Sequence, residues 1–149
     1  MSKLALDGAV ANAPGVRALR RNKHITRQCG YAFVFLYDSN AYDGLDAATF
    51  RTALSREIGF DFGTTYTPLS HSEVYYPHTK QRHNLSSSYR KAITPSRWKL
   101  SIADDVWRNK AVVANWRIFG CSPKHAHLLT DAITKIYENR GDLLKKSPS

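Results

Sequence analysis

The chain has 149 residues, 42% of them hydrophobic, and carries a formal net charge of +10. This length and apolar content predict one folded domain with its own core and exclude a chain that is disordered by composition. No apolar run approaches the roughly 20 residues of a membrane span, and the only two cysteines, Cys29 and Cys121, fit reduced thiols better than a structural disulfide. We therefore expect a cytoplasmic protein without membrane contact.

The positive charge is concentrated in two stretches of the chain. The first lies within eleven residues and contains Arg17, Arg20, Arg21, Lys23 and Arg27. The second falls between Glu73 and Asp104, where no acidic residue occurs, and contains Lys80, Arg82, Arg90, Lys91, Arg97 and Lys99. Such stretches attract polyanions or anionic substrates, but charge blocks often make no specific contact, which favours a solvated surface or a face matched to an acidic neighbouring domain.

The first half of the chain contains two helical and two extended patterns. Residues 1–12 are expected to form the end of a longer helix, since no strong cap precedes them, and residues 16–19 a short strand. Residues 30–37 are rich in aromatic and branched side chains and form the clearest strand, followed by a turn over 38–44. From Asp46, a suitable N-cap, apolar residues recur at helical spacing up to a stop at Gly59.

The second half begins with a long stretch of little regular pattern, residues 60–100. A segment of this length inside a compact domain is typically a functional or mobile loop. After it, the pattern predicts a short helix over 103–109 and a second good strand over 111–119.

The last predicted element is a helix that begins at Ser122 and Pro123 and is closed by Gly141, with a frayed tail over 145–149. Its apolar residues at core spacing are Leu129, Ala132, Ile133 and Ile136. The order strand, helix, long loop, strand, helix, with one apolar stripe on each of the two helices, predicts an α/β (α+β) fold. This is a small two-layer sandwich in which a short, mostly antiparallel sheet is covered by helices. This domain would span residues 1–144.

Common catalytic signatures are absent from the sequence, including the dinucleotide-binding glycines, the Walker lysine loop, the nucleophile elbow and paired-cysteine zinc spacing. His125 and His127 lie two residues apart on the last helix and therefore point to different faces, so they cannot share a metal. No Cys or Asp near His78 and His83 completes a tetrahedral site. We expect neither a metal site nor a catalytic residue in this chain.

The most informative stretch is 66–83, which combines tyrosine and histidine rings with lysine and arginine. Rings with hydrogen-bonding tips, together with cations, suit a polyol, sugar or anionic ligand. An ordered surface loop held by aromatic packing explains the same composition, and both interpretations remain open.

Five segments in this order resemble a known family: 13–17 (APGVR), 31–35 (YAFVF), 66–69 (YTPL), 76–83 (YPHTKQRH) and the strand and turn of 111–120. Together they resemble the C-terminal small domain of the DegT/DnrJ/EryC1/StrS family of PLP-dependent sugar and aminocyclitol aminotransferases. The resemblance covers nearly the whole chain. It is strongest to the branch that aminates a keto-inositol such as 2-deoxy-scyllo-inosose.

The resemblance implies that this chain is one domain of a larger enzyme and that the catalytic residues lie in another domain. In the family, a large fold-type-I domain carries the cofactor lysine, the acidic residue on the pyridine nitrogen and the phosphate-binding residues, and the enzyme is a homodimer. None of those positions matches this chain, and residues 1–12 would end an interdomain helix. The chain alone is therefore expected to hold no PLP and to be inactive, with the missing large domain or a homodimer partner and a keto-sugar or keto-cyclitol substrate as its partners.

The resemblance also implies that the loop 68–71 turns toward the mouth of the active site and shapes the substrate pocket. In many members a histidine follows the Pro-Leu pair directly, whereas here Ser70 intervenes. The candidate substrate-binding residues are Leu69, Ser70, His71, Tyr76, His78, Lys80 and Arg82.

A second hypothesis belongs to a different class: a free-standing basic module that binds nucleic acid or another anionic partner. The aromatic and basic residues over 66–98 permit it, because stacking and cations together hold single strands. The order of the family segments favours the aminotransferase fragment over nucleic-acid binding, which rests on charge alone.

Overall fold

The chain forms two compact units, which we call the core unit (Met1–Thr65 and Arg108–Ser149) and the inserted segment (Tyr66–Trp107). The structure is a computed structural model and describes residues 2–20, 22–26, 28, 30–72 and 76–146.

The core unit is built on a four-stranded sheet of order β1-β2-β4-β3 in which every neighbouring pair is antiparallel. In the central pair, Val34 of β2 lies opposite Val113 of β4. Side chains alternate along β2, so that Phe33, Phe35 and Tyr37 are buried. The strands are β1 Val16–Ala18, β2 Ala32–Tyr37, β3 Phe62–Gly63 and β4 Ala111–Asn115.

Helices cover this sheet, and the expected α+β fold is confirmed. Both α1 and α2 contact strands of the sheet, and α5 packs against α1 and α2. The core unit contains α1 Lys3–Ala11, α2 Ala47–Ile58, α5 Ala126–Glu138 and α6 Arg140–Lys146, and the inserted segment contains α3 Ser87–Ala92 and α4 Ser101–Asp105. Among the described residues, no helix has the length and apolar character needed to cross a membrane.

An aromatic cluster forms the centre of the core unit. The Tyr37 ring stacks on Phe50 with centroids 4.2 Å apart, and Tyr42 meets Phe50 edge-on at 5.3 Å. The Tyr37 hydroxyl donates to the carbonyl oxygen of Leu45 at 2.8 Å, and the Tyr42 hydroxyl donates to that of Pro14 at 2.9 Å. Burial raises the pKa of both tyrosines well above its usual value, because a phenolate loses its hydration there.

The turn at Pro14 and Gly15 packs closely against this cluster. Gly15 has a φ of +63°, and a Cβ at this position would clash with the Tyr42 ring. Only glycine combines this left-handed backbone with so close an approach.

Helix α2 has the limits that the sequence predicts. The Asp46 side chain accepts a hydrogen bond from the Thr49 backbone N–H at 2.8 Å, and Gly59 ends the helix in the left-handed conformation. Burial works to raise the pKa of Asp46, but the hydrogen bonds from Thr49 prevail and lower it. Phe50 and Leu54 are buried, as the helical spacing predicts.

The ends of other predicted elements differ from the structure. Helix α1 has a cap of its own, since the Ser2 side chain accepts from the Ala5 backbone N–H. The predicted strand over 111–119 stops at Asn115, whose side chain accepts from the Arg117 N–H and starts a 3-10 turn. The irregular region 60–100 contains the short strand β3 and the helix α3.

The closure of the last helix at Gly141 is also wrong. Helix α5 ends at Glu138, and Asn139 is its C-cap, with a backbone that leaves the helical conformation and a side-chain amide that donates to the Lys135 carbonyl. Gly141 lies inside α6. The tail is helical to Lys146 rather than frayed from 145 onward, and its remaining part, 147–149, lies outside the described residues. The predicted core positions Leu129, Ala132, Ile133 and Ile136 are all buried.

Candidate substrate-binding segment

The inserted segment is made of short turns and helices without a buried side chain among its described residues. Its four 3-10 turns are Leu69–His71, Pro77–Thr79, Gln81–His83 and Pro95–Arg97. Backbone hydrogen bonds close these turns, and the first turn contacts the last. Many large apolar side chains of this segment are exposed, and these are Tyr66, Leu69, Tyr76, Tyr89, Trp98, Leu100 and Ile102.

His71 is the best-anchored of the predicted site residues. Its Nε2 lies 2.8 Å from Oδ1 of Asp104, and its ring stacks on Trp107 with centroids 5.7 Å apart and 29° between the planes. Asp104 lies in α4, and Trp107 lies in the π-helical turn Val106–Lys110 that continues it. Residues three apart on a helix share a face, so one element presents both partners to the histidine.

The two residues before His71 differ in exposure. Leu69 is 63% exposed, so its apolar side chain is open to contact. The Ser70 Oγ is buried, and no hydrogen-bond partner for it is present in the described part of the chain. A buried hydroxyl without a hydrogen-bond partner lowers the stability of the fold. A ligand group that reaches the Ser70 hydroxyl would supply the missing hydrogen bond.

The remaining candidates lie in the turns that follow. The rings of Tyr76 and His78 meet edge-on at 6.0 Å, and the buried Nδ1 of His78 has no partner within the described ranges. Lys80 is exposed, and Arg82 Nε donates to Nε2 of its neighbour His83 at 3.2 Å.

The structure therefore groups the candidates locally: Leu69, Ser70 and His71 share one turn, and Tyr76 contacts His78. Their role in binding a substrate stays a prediction. Sequence reasoning missed Asp104 and Trp107, although the helix predicted over 103–109 includes both. Their spacing places them on one face, but nothing in the sequence links that face to a histidine more than 30 residues away.

Two of the predicted cations of the inserted segment bind its own backbone. Arg90 Nε donates to the carbonyl oxygen of Leu85, and a terminal nitrogen of Arg97 donates to that of Lys91, both at 3.1 Å. These arginines therefore shape the segment itself.

In the first basic stretch, Arg17, Arg20 and Lys23 are exposed, while Arg21 and Arg27 lie outside the described residues. Cys29 lies outside them as well, so the expectation of reduced thiols remains a prediction. Cys121 is half-buried.

The described residues contain no group of three or more His, Cys, Asp or Glu side chains that could hold a metal. The lysines whose side chains the structure describes are exposed, except Lys3, which is bound to Asp7 at 2.6 Å.

The chain resembles curated aminotransferases over most of its length, although no protein-family model matches it. It is 25% identical over 146 residues, or 97% of its length, to a Micromonospora echinospora protein provisionally named L-glutamine:3-amino-2,3-dideoxy-scyllo-inosose aminotransferase, of which the match covers 35%. It is 25% identical to the L-glutamine:2-deoxy-scyllo-inosose aminotransferase of Streptoalloteichus tenebrarius, over 87% of this chain and 30% of the relative. The Streptomyces fradiae protein of the same name is 23% identical over 93% of this chain and 32% of the relative.

The chain thus spans about one third of the length of these relatives. Aminotransferases generally use PLP, which is held as a Schiff base on a lysine in an enclosed pocket. The described lysine side chains do not fit that group, because they are exposed to water or, in Lys3, bound to a carboxylate. Over most of its length, this chain is a homologue of the DegT/DnrJ/EryC1/StrS aminotransferases and corresponds to a part of such a protein.

Proposed function

We propose that the chain is the C-terminal small domain of an aminocyclitol aminotransferase, over residues 1–144. The observation that carries the proposal is the match over 87–97% of the chain to proteins named for amino transfer to scyllo-inosose derivatives, at about a third of their length. In this function the other two thirds hold the PLP, and this chain closes the substrate pocket.

The inserted segment is the part proposed to face the substrate. Exposed rings such as Tyr66 and Tyr76 offer flat apolar faces to a cyclitol ring, while His71, Lys80 and Arg82 offer hydrogen bonds to its hydroxyl groups. These groups bind and orient a keto-cyclitol but supply no amino transfer. The chain alone is therefore expected to be inactive and to work in the cytoplasm with a large domain or in a homodimer.

A chimera tests this proposal directly. The matching third of the S. tenebrarius relative is replaced by residues 3–144 of this chain, and amino transfer from L-glutamine to 2-deoxy-scyllo-inosose is measured. We expect a PLP-loaded, active chimera, and no activity and no aldimine absorbance band when the 149-residue chain is mixed with PLP alone. A control chimera retains the relative's own sequence in place of 66–107, so that a folding failure is separated from a pocket failure.

Two outcomes would contradict the proposal. One is a folded chimera that binds PLP but transfers no amino group while its control is active. The other is a stoichiometric aldimine on the chain alone, which would place the cofactor lysine in these residues.

The exposed Trp98 and Tyr89 among the cations of the inserted segment keep nucleic-acid binding as a second candidate. Under that function, the full chain would bind a single-stranded oligonucleotide at sub-micromolar affinity, with strong weakening by salt. We expect no such binding, since two of the six cations are engaged with backbone carbonyls.

A further inference from the structure

We propose that Asp104 and Trp107 are positioning residues that fix the ring of His71, so that its Nδ1 accepts a hydrogen bond from a hydroxyl group of the cyclitol. This inference rests on the proposed function, because it names the chemical group that this part of the pocket recognises.

The first step is geometric. Asp104 holds the edge of the imidazole through Nε2 at 2.8 Å, and the Trp107 ring stacks against it with centroids 5.7 Å apart and 29° between the planes. A hydrogen bond at the edge sets the direction of the ring, and a stacked neighbour sets its plane. Together they restrict both side-chain torsions of a residue that is 38% exposed and would otherwise sample several rotamers.

The second step concerns the supporting element. Helix α4 passes directly into a π-helical turn, and such turns are rare and often occur at functional sites. Asp104 and Trp107 are three positions apart, and both contact the same ring. A single continuous element therefore supplies both contacts, and the two move together.

The third step is chemical. In a neutral imidazole one nitrogen donates and the other accepts, and the bond made by one nitrogen determines the role of the other. A carboxylate only accepts, so Nε2 carries the proton and Nδ1 has a free lone pair. Among the described residues, no group bonds to Nδ1 of His71.

The ligand group follows from that assignment. A bare Nδ1 pairs with a hydroxyl, which donates, and cannot pair with a ketone oxygen, which only accepts. His71 would therefore recognise one of the hydroxyl groups around the cyclitol ring, leaving the keto group to another part of the pocket. A site built to accept from a hydroxyl rejects an analogue that lacks it.

The first test needs no ligand and uses the full chain with nitrogen-15 in its histidines, in NMR at about pH 8.5, above the usual titration range of imidazole. We expect His71 to show Nε2 protonated and Nδ1 bare. Asp104→Leu should lose this single tautomer and move both nitrogen signals toward each other, whereas Asp104→Asn should retain it because the amide oxygen still accepts. The control Asp131→Leu removes an exposed helical carboxylate elsewhere and should change nothing.

The second test adds 2-deoxy-scyllo-inosose to the PLP-loaded chimera with nitrogen-15 in its histidines, because the pocket is complete only there. The Nδ1 signal of His71 should move on binding, and Asp104→Leu should weaken binding about fivefold, the usual effect of one lost hydrogen bond, with Asp131→Leu unchanged. An analogue with one hydroxyl replaced by hydrogen at the contacted carbon should bind the chimera and its Asp104→Leu variant equally.

The outcomes separate the inference from the proposed function. A protonated Nδ1 in the wild-type chain, nitrogen signals unchanged in Asp104→Leu, or no movement of Nδ1 with ligand would each overturn the inference while leaving the activity of the chimera intact. An inactive chimera would overturn the proposed function, yet the tautomer assignment in the absence of ligand would stand.

Discussion

The core unit and the inserted segment are stabilised by different interactions. The core unit buries all of the fully buried apolar residues of the described chain, among them Phe33, Phe35, Phe50 and Leu54. The inserted segment contains six cations. Its described residues include seven large exposed apolar side chains and no buried residue. Its order comes from hydrogen-bonded turns, helix caps and contacts such as that of His71 with Asp104.

This difference in apolar burial assigns the stability of the fold to the core unit and, under the proposed function, substrate binding to the inserted segment. Apolar burial supplies most of the free energy of folding, so the core unit has the means to fold by itself. A segment held by exposed hydrogen bonds is only marginally stable locally, and its shape responds to whatever covers its exposed rings. Under the proposed function, that cover is the substrate and the remainder of the enzyme.

The largest expected effect is on hydrogen exchange. Amides of β2 and β4 should exchange at least about a thousandfold more slowly than those of α3 and the 3-10 turns of the inserted segment, because the former open only on global unfolding. Exchange of the full chain followed by mass spectrometry measures both sets at once. Equal protection of the amides in the two regions would show that the inserted segment is as stable as the core unit.

The next effect compares one aromatic side chain from each region. Phe50→Ala removes a fully buried ring from the aromatic cluster and should lower the free energy of unfolding by about 3–5 kcal/mol. Tyr66→Ala removes a ring that is 86% exposed and should change it by less than about 0.5 kcal/mol. Urea unfolding followed by circular dichroism measures both, and similar losses would show that the inserted segment contributes to the global core.

The same contrast explains what sequence reasoning achieved for the fold. Periodic patterns with strong ends, such as α2 between Asp46 and Gly59, are local signals and were predicted closely. The predicted ends of elements were wrong where a single polar side chain ends the element, because the apolar spacing of the sequence contains no signal for such an end. Asn115 leaves the strand because its side chain caps a turn. Asn139, not the glycine at 141, is the C-cap of α5, and its side-chain amide donates to the Lys135 carbonyl.

For the site, the composition of 66–83 predicts polar and aromatic binding chemistry or an ordered surface loop, and the binding role stays a prediction. The pairing of His71 with Asp104 is a long-range contact between two irregular parts of the segment, and neither spacing nor residue type predicts such a contact. The described part of this region contains no buried core, so its apolar residues follow neither the helical nor the strand period. The positions of its turns and short helices could therefore not be predicted from the sequence.

Alkaline pH should destabilise the core unit through Tyr37 and Tyr42, whose pKa values burial raises. Above about pH 10 the unfolded chain releases the phenolic protons while the folded chain retains them. The unfolding free energy therefore falls with pH, by about 1.4 kcal/mol per pH unit for each tyrosine. Urea unfolding between about pH 9 and 11.5 measures the slope, which Tyr37→Phe should reduce and Tyr31→Phe, at an exposed tyrosine, should not. A slope unaffected by Tyr37→Phe would assign the loss to other groups.

The smallest expected effect compares two helix caps. Asp46 caps α2 of the core unit at 2.8 Å, and Ser86 caps α3 of the inserted segment at 3.3 Å. Asp46→Ala should lower the free energy of unfolding by about 1 kcal/mol, because α2 packs in the core and unfolds with it. This loss should shrink at acidic pH, since the pKa of Asp46 is lowered in the fold and its contribution disappears as pH falls through that value.

Ser86→Ala removes an equivalent bond but should leave global unfolding unchanged and instead raise the local exchange rate of the α3 amides about fivefold. The two readouts, urea unfolding and hydrogen exchange, therefore respond to different caps if the regions are energetically separate. A global loss of about 1 kcal/mol in Ser86→Ala would mean that α3 unfolds together with the core unit. The inserted segment would then be part of one cooperative domain, and its marginal local stability could no longer account for a pocket that is completed on binding.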